Sequence, residues 1–209
     1  MRNDVSVMTL WRGDTPLILA SQSRARQMLL ANAGIDFEAA PAHIDERSVQ
    51  DAISPATPSA IATRLAREKA LVVSRRKAGR YVVGADQTLA LGEGLFNKPE
   101  GRAQALEQLC VLAGHTHELC SAIAVARDGN IVFEHVVIAR MTMRPLREDE
   151  IAAYLDEARD DVTSSVGAYQ LEGLGVHLFD RIEGDHFTIL GLPMLPLLGF
   201  LRGERLLAI

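Results

Sequence analysis

Apolar residues occur in short blocks separated by turn formers, and the period within the blocks changes along the chain. Leu17-Ile18-Leu19-Ala20, directly after Pro16, is a continuous apolar run that predicts a buried strand. Helical spacing of Met28, Leu29 and Ala33 follows, with Ser23 suited to the N-cap and Gly34 to the left-handed residue that ends a helix. Residues 37–40 predict a second strand. A polar loop then reaches Thr57-Pro58, a cap-then-proline pair that starts a helix running to about Arg75. Residues 81–84 predict another strand, and beyond the Gly92-Glu93-Gly94 turn and Pro99 a helix covers 102–112, closed by Gly114.

In the second half, residues 118–126 and 131–143 predict two strands joined at Asp128-Gly129, a dipeptide favoured in tight hairpins. A helix over 148–158, a glycine-rich stretch, strands near 176–182 and 187–190, and a helix after Pro193 complete the pattern. Strands alternating with helices, followed by a hairpin, predict an α/β fold with a partly antiparallel sheet. Residues 1–16 read as an N-terminal extension and 17–209 as a single domain.

Composition narrows the function. A chain of 209 residues with 48% hydrophobic content can bury a substantial core. Its 22 basic and 27 acidic residues leave a net charge of -5, and 5% of its residues are aromatic, so nothing draws it to nucleic acid or an anionic membrane. No apolar run approaches the ~20 residues of a membrane span and the first residues lack a signal-peptide core, so the expected location is cytoplasmic. Cys110 and Cys120 lie in leucine- and alanine-rich contexts that predict buried small side chains. His115 and His117 lack a third metal ligand nearby and are expected to hydrogen-bond at a strand edge.

Four stations carry candidate chemistry. Ser21-Gln22-Ser23-Arg24-Ala25-Arg26 spans a strand-to-helix turn, where free N–H groups and the helix dipole favour an anion. Ser21 and Ser23 add hydroxyls, and Arg26, one turn in, can reach the same phosphate with its planar fork; an ordinary serine cap with solvated arginines is the alternative. Lys69 lies on the apolar stripe of its helix, where a lysine either snorkels to the surface or holds a phosphate. Asp86 follows an apolar strand and could bind a metal, orient water or accept its proton, while Glu46 could supply a second carboxylate. Hard carboxylate oxygens suit Mg²⁺ or Mn²⁺. Lys98, held extended by Pro99, is the third cation. Together these are parts for triphosphate hydrolysis, and neither a P-loop nor a dinucleotide fingerprint competes.

The segments LILASQSRAR, HIDE, REKA, VVGADQTL, NKPE, GHTH, GAYQLEGLG and FDRIEGDHFTILGLPM, in that order from Leu17 to Leu198, resemble the Maf family of nucleoside triphosphate pyrophosphatases. The resemblance implies hydrolysis at the α phosphorus to release a nucleoside monophosphate and pyrophosphate, with Mg²⁺ or Mn²⁺. It also implies an elongated, Maf/ITPase-like mixed sheet with two lobes around a central cleft, and a homodimer. In the family, the aspartate matching Asp86 accepts the proton, and the positions matching Ala25, Gln87 and Glu172 select the base. Gln87 and Glu172 are similar to the branch that acts on 7-methyl-GTP, while the dTTP/UTP branch is an alternative. Arg24 stands where the family usually has proline, and Ala25 where many relatives carry arginine or tryptophan. The family's older label of septum inhibitor leaves a non-catalytic, nucleotide-binding regulator of cell division as a reading from another class. Asp86 and Gln87, adjacent in a strand, should point to opposite faces unless the strand breaks at Gly84.

Overall fold

The computed structural model describes residues 10–209. In chain order the elements are β1 (Leu17–Leu19), α1 (Arg24–Asn32), β2 (Phe37–Ala39), α2 (Glu46–Asp51), α3 (Pro58–Ser74), β3 (Val82–Leu91), β4 (Gly94–Phe96), α4 (Arg102–Leu112), β5 (Thr116–Arg127), β6 (Asn130–Met143), α5 (Glu148–Ala158), β7 (Phe179–Glu183), α6 (His186–Ile189) and α7 (Met194–Gly203). The strands form one open, mixed sheet ordered β2-β1-β3-β5-β6-β7, with β4 added to β3. β1 pairs in parallel with β2 and β3, and the remaining pairings are antiparallel.

Local chemistry explains several of these elements. Thr57 accepts a bond from the Ala60 N–H and Pro58 opens α3. The β5–β6 hairpin turns through Asp128 and Gly129, at φ 50° and 76°, the left-handed pair that a tight antiparallel turn requires. Trp11 is buried in the core and the Arg12 N–H bonds the Leu206 carbonyl, so residues 10–12 of the expected extension are tied to the C-terminal segment.

Alternation along β3 and β5 sorts side chains onto two faces. On one face, Cys120, Ala122, Ala124 and Ala126 of β5 meet Ala62, Ala66 and Ala70 of α3. The other face carries two separate apolar cores. Val83, Ala85, Ile123 and Val125 pack with Leu29 and Leu30 of α1 and Leu197 and Leu201 of α7. Further along the same strands, Leu89 and Leu119 pack with Leu109 and Leu112 of α4 and Ile151 and Leu155 of α5. These cores are the two lobes, and Gln87 and its cross-strand neighbour Ser121 form a polar seam between them.

The edge of β3 opposite β5 is covered only at its ends. β1 pairs with Val82 and Val83, and β4 with residues 89–91, so residues 84–88 have no strand on that side. This interruption lies between the two apolar cores and is the candidate cleft.

Several expectations are corrected. Residues 187–190 do not form a strand: Asp185 caps the helix α6 by accepting bonds from the Thr188 N–H and hydroxyl, and a segment as short as Phe-Thr-Ile-Leu does not distinguish helix from strand. The strand expected over 176–182 is shifted to β7, behind a 3-10 turn at Leu174–Leu178. The polar loop before Thr57 contains α2, capped by Asp45. β3 continues through Gly84 to Leu91 rather than breaking there. Cys120 is buried as expected, but Cys110 is exposed on α4. His117 is fully buried instead of lying at a strand edge; its Nε2 lies 2.7 Å from the Tyr169 hydroxyl. Among the described residues no helix is long and apolar enough to cross a membrane.

Gly84 sets the distance between α3 and the sheet. A Cβ there would lie 2.1 Å from the Ala66 carbonyl oxygen and 2.6 Å from the Ala70 nitrogen, so any side chain must push α3 outward. Overpacking of this kind costs about 1 to 3 kcal/mol, and at roughly 2 to 4 °C per kcal/mol Gly84→Ala is expected to lower the melting temperature by about 2 to 12 °C. An unchanged melting temperature in calorimetry would show that α3 is not held by this contact.

Candidate active site

Because α3 lies close to β3, Lys69 reaches across to Asp86, two residues beyond Gly84. The ammonium is 2.6 Å from Asp86 Oδ1 and 2.7 Å from Glu46 Oε1, the latter carried by the first residue of α2. Lys69 and Asp86 are nearly enclosed, with side chains 11% and 9% exposed, whereas Glu46 is 57% exposed. The cluster therefore has a buried end and an open end. Burial raises the Asp86 carboxyl above its ordinary value, and the nearby Lys69 and Arg26 charges oppose that rise.

Arg26 closes the first-lobe side of the cleft. Its Nη1 donates to the Ala85 carbonyl at 2.7 Å and to Ser21 Oγ at 3.3 Å, and its Nε donates to the Gly191 carbonyl at 2.8 Å. Ala20 N–H bonds the Val83 carbonyl, so Arg26 takes the next carbonyl along the edge, where β1 has ended. Three donors of the expected phosphate fork are thus committed to the fold. The Nη2 donors and the charge remain. Burial lowers the Arg26 pKa, opposed by the Asp86 and Glu46 charges.

The other expected residues occupy different positions. Ser21 is buried and its Oγ also accepts the Ser23 N–H at 3.2 Å, while Ser23 caps α1 by accepting the Arg26 N–H. Ala25 packs against the first-lobe core. Lys98 is exposed and makes no ion pair with a described residue, although its loop is anchored by Gln108 Nε2 donating to the Asn97 carbonyl at 2.9 Å. Gln87 lies on the face opposite Asp86, bonded to Ser121. Glu172 is exposed, in a segment pinned through Tyr169 to His117 and by Tyr154 donating to the Ala168 carbonyl. Lys69, Asp86, Glu46, Arg26 and Ser21 are therefore brought together, while Lys98 and Glu172 have no contact with that cluster.

Glu46 and Asp86 already converge on one cationic centre, the Lys69 ammonium. Two carboxylates with hard oxygen donors fit a divalent ion that completes its shell with phosphate oxygens and water. Among the described residues no group of three or more His, Cys, Asp or Glu forms a self-contained metal cage.

The sequence of this site continues across most of the chain. A family profile described as Maf-like protein matches residues 16–204. The chain belongs to the Maf family. It is 67% identical over 202 residues to the "Nucleoside triphosphate pyrophosphatase" of Bradyrhizobium diazoefficiens, covering 97% of this chain and 100% of that protein. A protein of the same name from Rhodopseudomonas palustris is 66% identical over 201 residues, covering 96% and 100% of the two chains. The "7-methyl-GTP pyrophosphatase" of Rhizobium etli is 55% identical over 188 residues, 89% of this Maf chain and 94% of that protein.

Residues that sequence reasoning passed over include Ser121 and Thr188, which hold the Gln87 amide, and Tyr169, which bonds His117 in the second core. A buried serine in an alanine-rich strand was a local signal for the first. The others depend on backbone carbonyls and on partners distant in the chain.

The raised Asp86 pKa has a defined sign in stability. Above pH about 4 the unfolded chain loses this proton before the native chain does, so the native state binds more protons and stability falls as pH rises towards the raised value. Asp86→Asn removes that slope. The stability of the wild type minus that of the variant, from urea unfolding over a pH series, is expected to decrease across this window and then level off. His117, which burial lowers from 6.5 to about 4, adds stability that is lost as pH falls between those values, but it is common to both proteins and cancels. A difference that rises with pH would mean that Lys69 and Arg26 outweigh burial.

Proposed function

We propose that this Maf protein is a nucleoside triphosphate pyrophosphatase, cleaving between the α and β phosphates to release a nucleoside monophosphate and pyrophosphate. The observation that carries the reading is the Lys69 ammonium held between Asp86 and Glu46 at the break in the sheet edge. The names of the Bradyrhizobium and Rhizobium relatives support it.

In this reading the triphosphate lies along the uncovered edge of β3. Asp86 takes a proton from the water that attacks the α phosphorus, the α–β bridging bond breaks, and pyrophosphate leaves with the bridging oxygen. Lys69 orients the carboxylate and favours its ionised form against burial. Glu46 and Asp86 would hold Mg²⁺ or Mn²⁺, which neutralises phosphate charge and polarises the phosphoryl group. Arg26 Nη2, the exposed Lys98 and the α1 N-terminus with Ser21 and Ser23 supply positive potential and donors for phosphate oxygens.

The proposed substrate is 7-methyl-GTP. Gln87 and Glu172 offer acceptors for the donors on a guanine edge, and the methylated, cationic base favours the Glu172 carboxylate. In this reading a ligand at the uncovered edge of residues 84–88 meets side chains from both faces of the strand, Asp86 on one and Gln87 on the other. A homodimer belongs to the same reading; the outer edge of β6, paired by β7 only from Arg140 onward and bearing exposed Val132, Val136 and Ile138, supports it.

With Mg²⁺ or Mn²⁺ supplied, Asp86→Asn is expected to lower pyrophosphate release at least 100-fold, the scale of losing a general base, while nucleotide still binds in calorimetry. Full turnover in this variant would remove Asp86 from the chemistry; nucleotide binding by the wild type without any pyrophosphate release would favour the regulator instead. Glu172→Gln is expected to reduce the preference for 7-methyl-GTP over UTP about tenfold, the scale of one charged hydrogen bond. Equal kcat/KM ratios before and after that substitution would dissociate Glu172 from base choice.

A further inference from the structure

Gln87 is the polar residue of the seam between the two lobes, and its surroundings determine which end of its amide faces outward. Nε2 lies 2.8 Å from Ser121 Oγ, 3.1 Å from the Thr188 carbonyl and 2.9 Å from the Ile189 carbonyl. Ser121 donates its own proton to the Thr188 carbonyl at 2.6 Å, so its lone pairs are turned towards Gln87. All three neighbours at that end are acceptors. The two carbonyls belong to the last turn of α6: that of Thr188 also accepts the Gly191 N–H at 3.0 Å, while that of Ile189, past the last helical donors, is met by Gln87. Turning the amide over would set Oε1 against three oxygens, so this environment determines the orientation.

The other end of the amide is different. Oε1 has no partner among the described residues, and Gln87 is only partly buried, beside the uncovered edge of β3. Gln87 therefore presents an acceptor and no donor. A purine with N–H at ring position 1, as in guanine, complements it; adenine presents a lone pair there and is repelled.

We propose that Ser121 is a positioning residue for base selection: with the Thr188 and Ile189 carbonyls it locks the Gln87 amide so that only its carbonyl oxygen meets the nucleotide, favouring guanine-type over adenine-type bases. Ser121 is fully buried and acts through Gln87 rather than on the substrate. The inference rests on Gln87 taking part in base choice, as proposed above.

The test compares kcat/KM for 7-methyl-GTP and ATP in wild type, Ser121→Ala, Ser121→Thr and Gln87→Met. Ser121→Ala is expected to lower the 7-methyl-GTP to ATP ratio about threefold to tenfold, the scale of one weakened hydrogen bond, through KM rather than kcat. Ser121→Thr, which keeps the hydroxyl, is expected to restore it; Ser121→Cys keeps the volume with a weaker donor and replaces the alanine variant if that fails to fold. In the nucleotide-free protein, hydrogen exchange of the ¹⁵N-labelled Gln87 side-chain amide is expected to accelerate in Ser121→Ala. A ratio that Gln87→Met lowers but Ser121→Ala leaves unchanged overturns the role of Ser121. A ratio unmoved by Gln87→Met overturns the base-selection reading of Gln87 itself, and the Ser121 inference with it.

Discussion

A carboxylate removed almost completely from water costs several kcal/mol unless a cation is brought to it, and Asp86 is in that position. Its partner, Lys69, comes from a helix whose backbone must approach the sheet closely. Gly84 and the facing alanines of α3 and β5 permit that approach. The small-residue face of α3 is therefore part of the electrostatics of the site as well as of its packing. Glu46 completes the arrangement from the solvent side, so the ammonium connects a buried acid to an accessible one.

The sheet contributes a break rather than a surface. β1 and β4 both pair with the same edge of β3, and neither covers its middle. Backbone groups there would normally be satisfied by a neighbouring strand. Arg26 takes one of the uncovered carbonyls, which places a half-buried guanidinium near Asp86 and joins α1 and the Gly191 turn to the same point. The arginine thus closes the wall of the cleft and supplies charge to it.

On the opposite face the boundary between the two apolar cores is a hydrogen-bonded seam. Gln87 and Ser121 satisfy carbonyls at the end of α6, so a buried serine and a half-buried glutamine can sit in the middle of a mostly apolar face without an unmet donor. The same bonds leave Gln87 Oε1 without a partner among the described residues. In the proposed reading the groups assigned to catalysis and to base choice, Asp86 and Gln87, are adjacent residues on opposite faces of one strand, beside its uncovered edge.

Periodicity, caps and turn residues in the sequence were enough to specify α1, α3, α4, α5, α7 and the β5–β6 hairpin, because each is encoded by neighbours in the chain. Asp86 and Lys69 were also legible as candidates, since charged side chains at a strand end or on an apolar helical stripe have no local structural purpose, whereas Glu46, in a polar loop, was only a possible second carboxylate. Polar Asp86, Gln87 and Thr88 disguised the continuation of β3, however, and the four residues Phe187 to Leu190 were too short a segment to reveal that α6 is helical. The commitment of the Arg26 fork to backbone carbonyls, the division of Asp86 and Gln87 between opposite faces, and the support of Gln87 by Ser121 were decided only by tertiary structure. Each depends on strand edges and carbonyl oxygens brought together from distant parts of the chain, and every residue carries the same backbone groups, so no pattern of side chains records where they will be left unpaired.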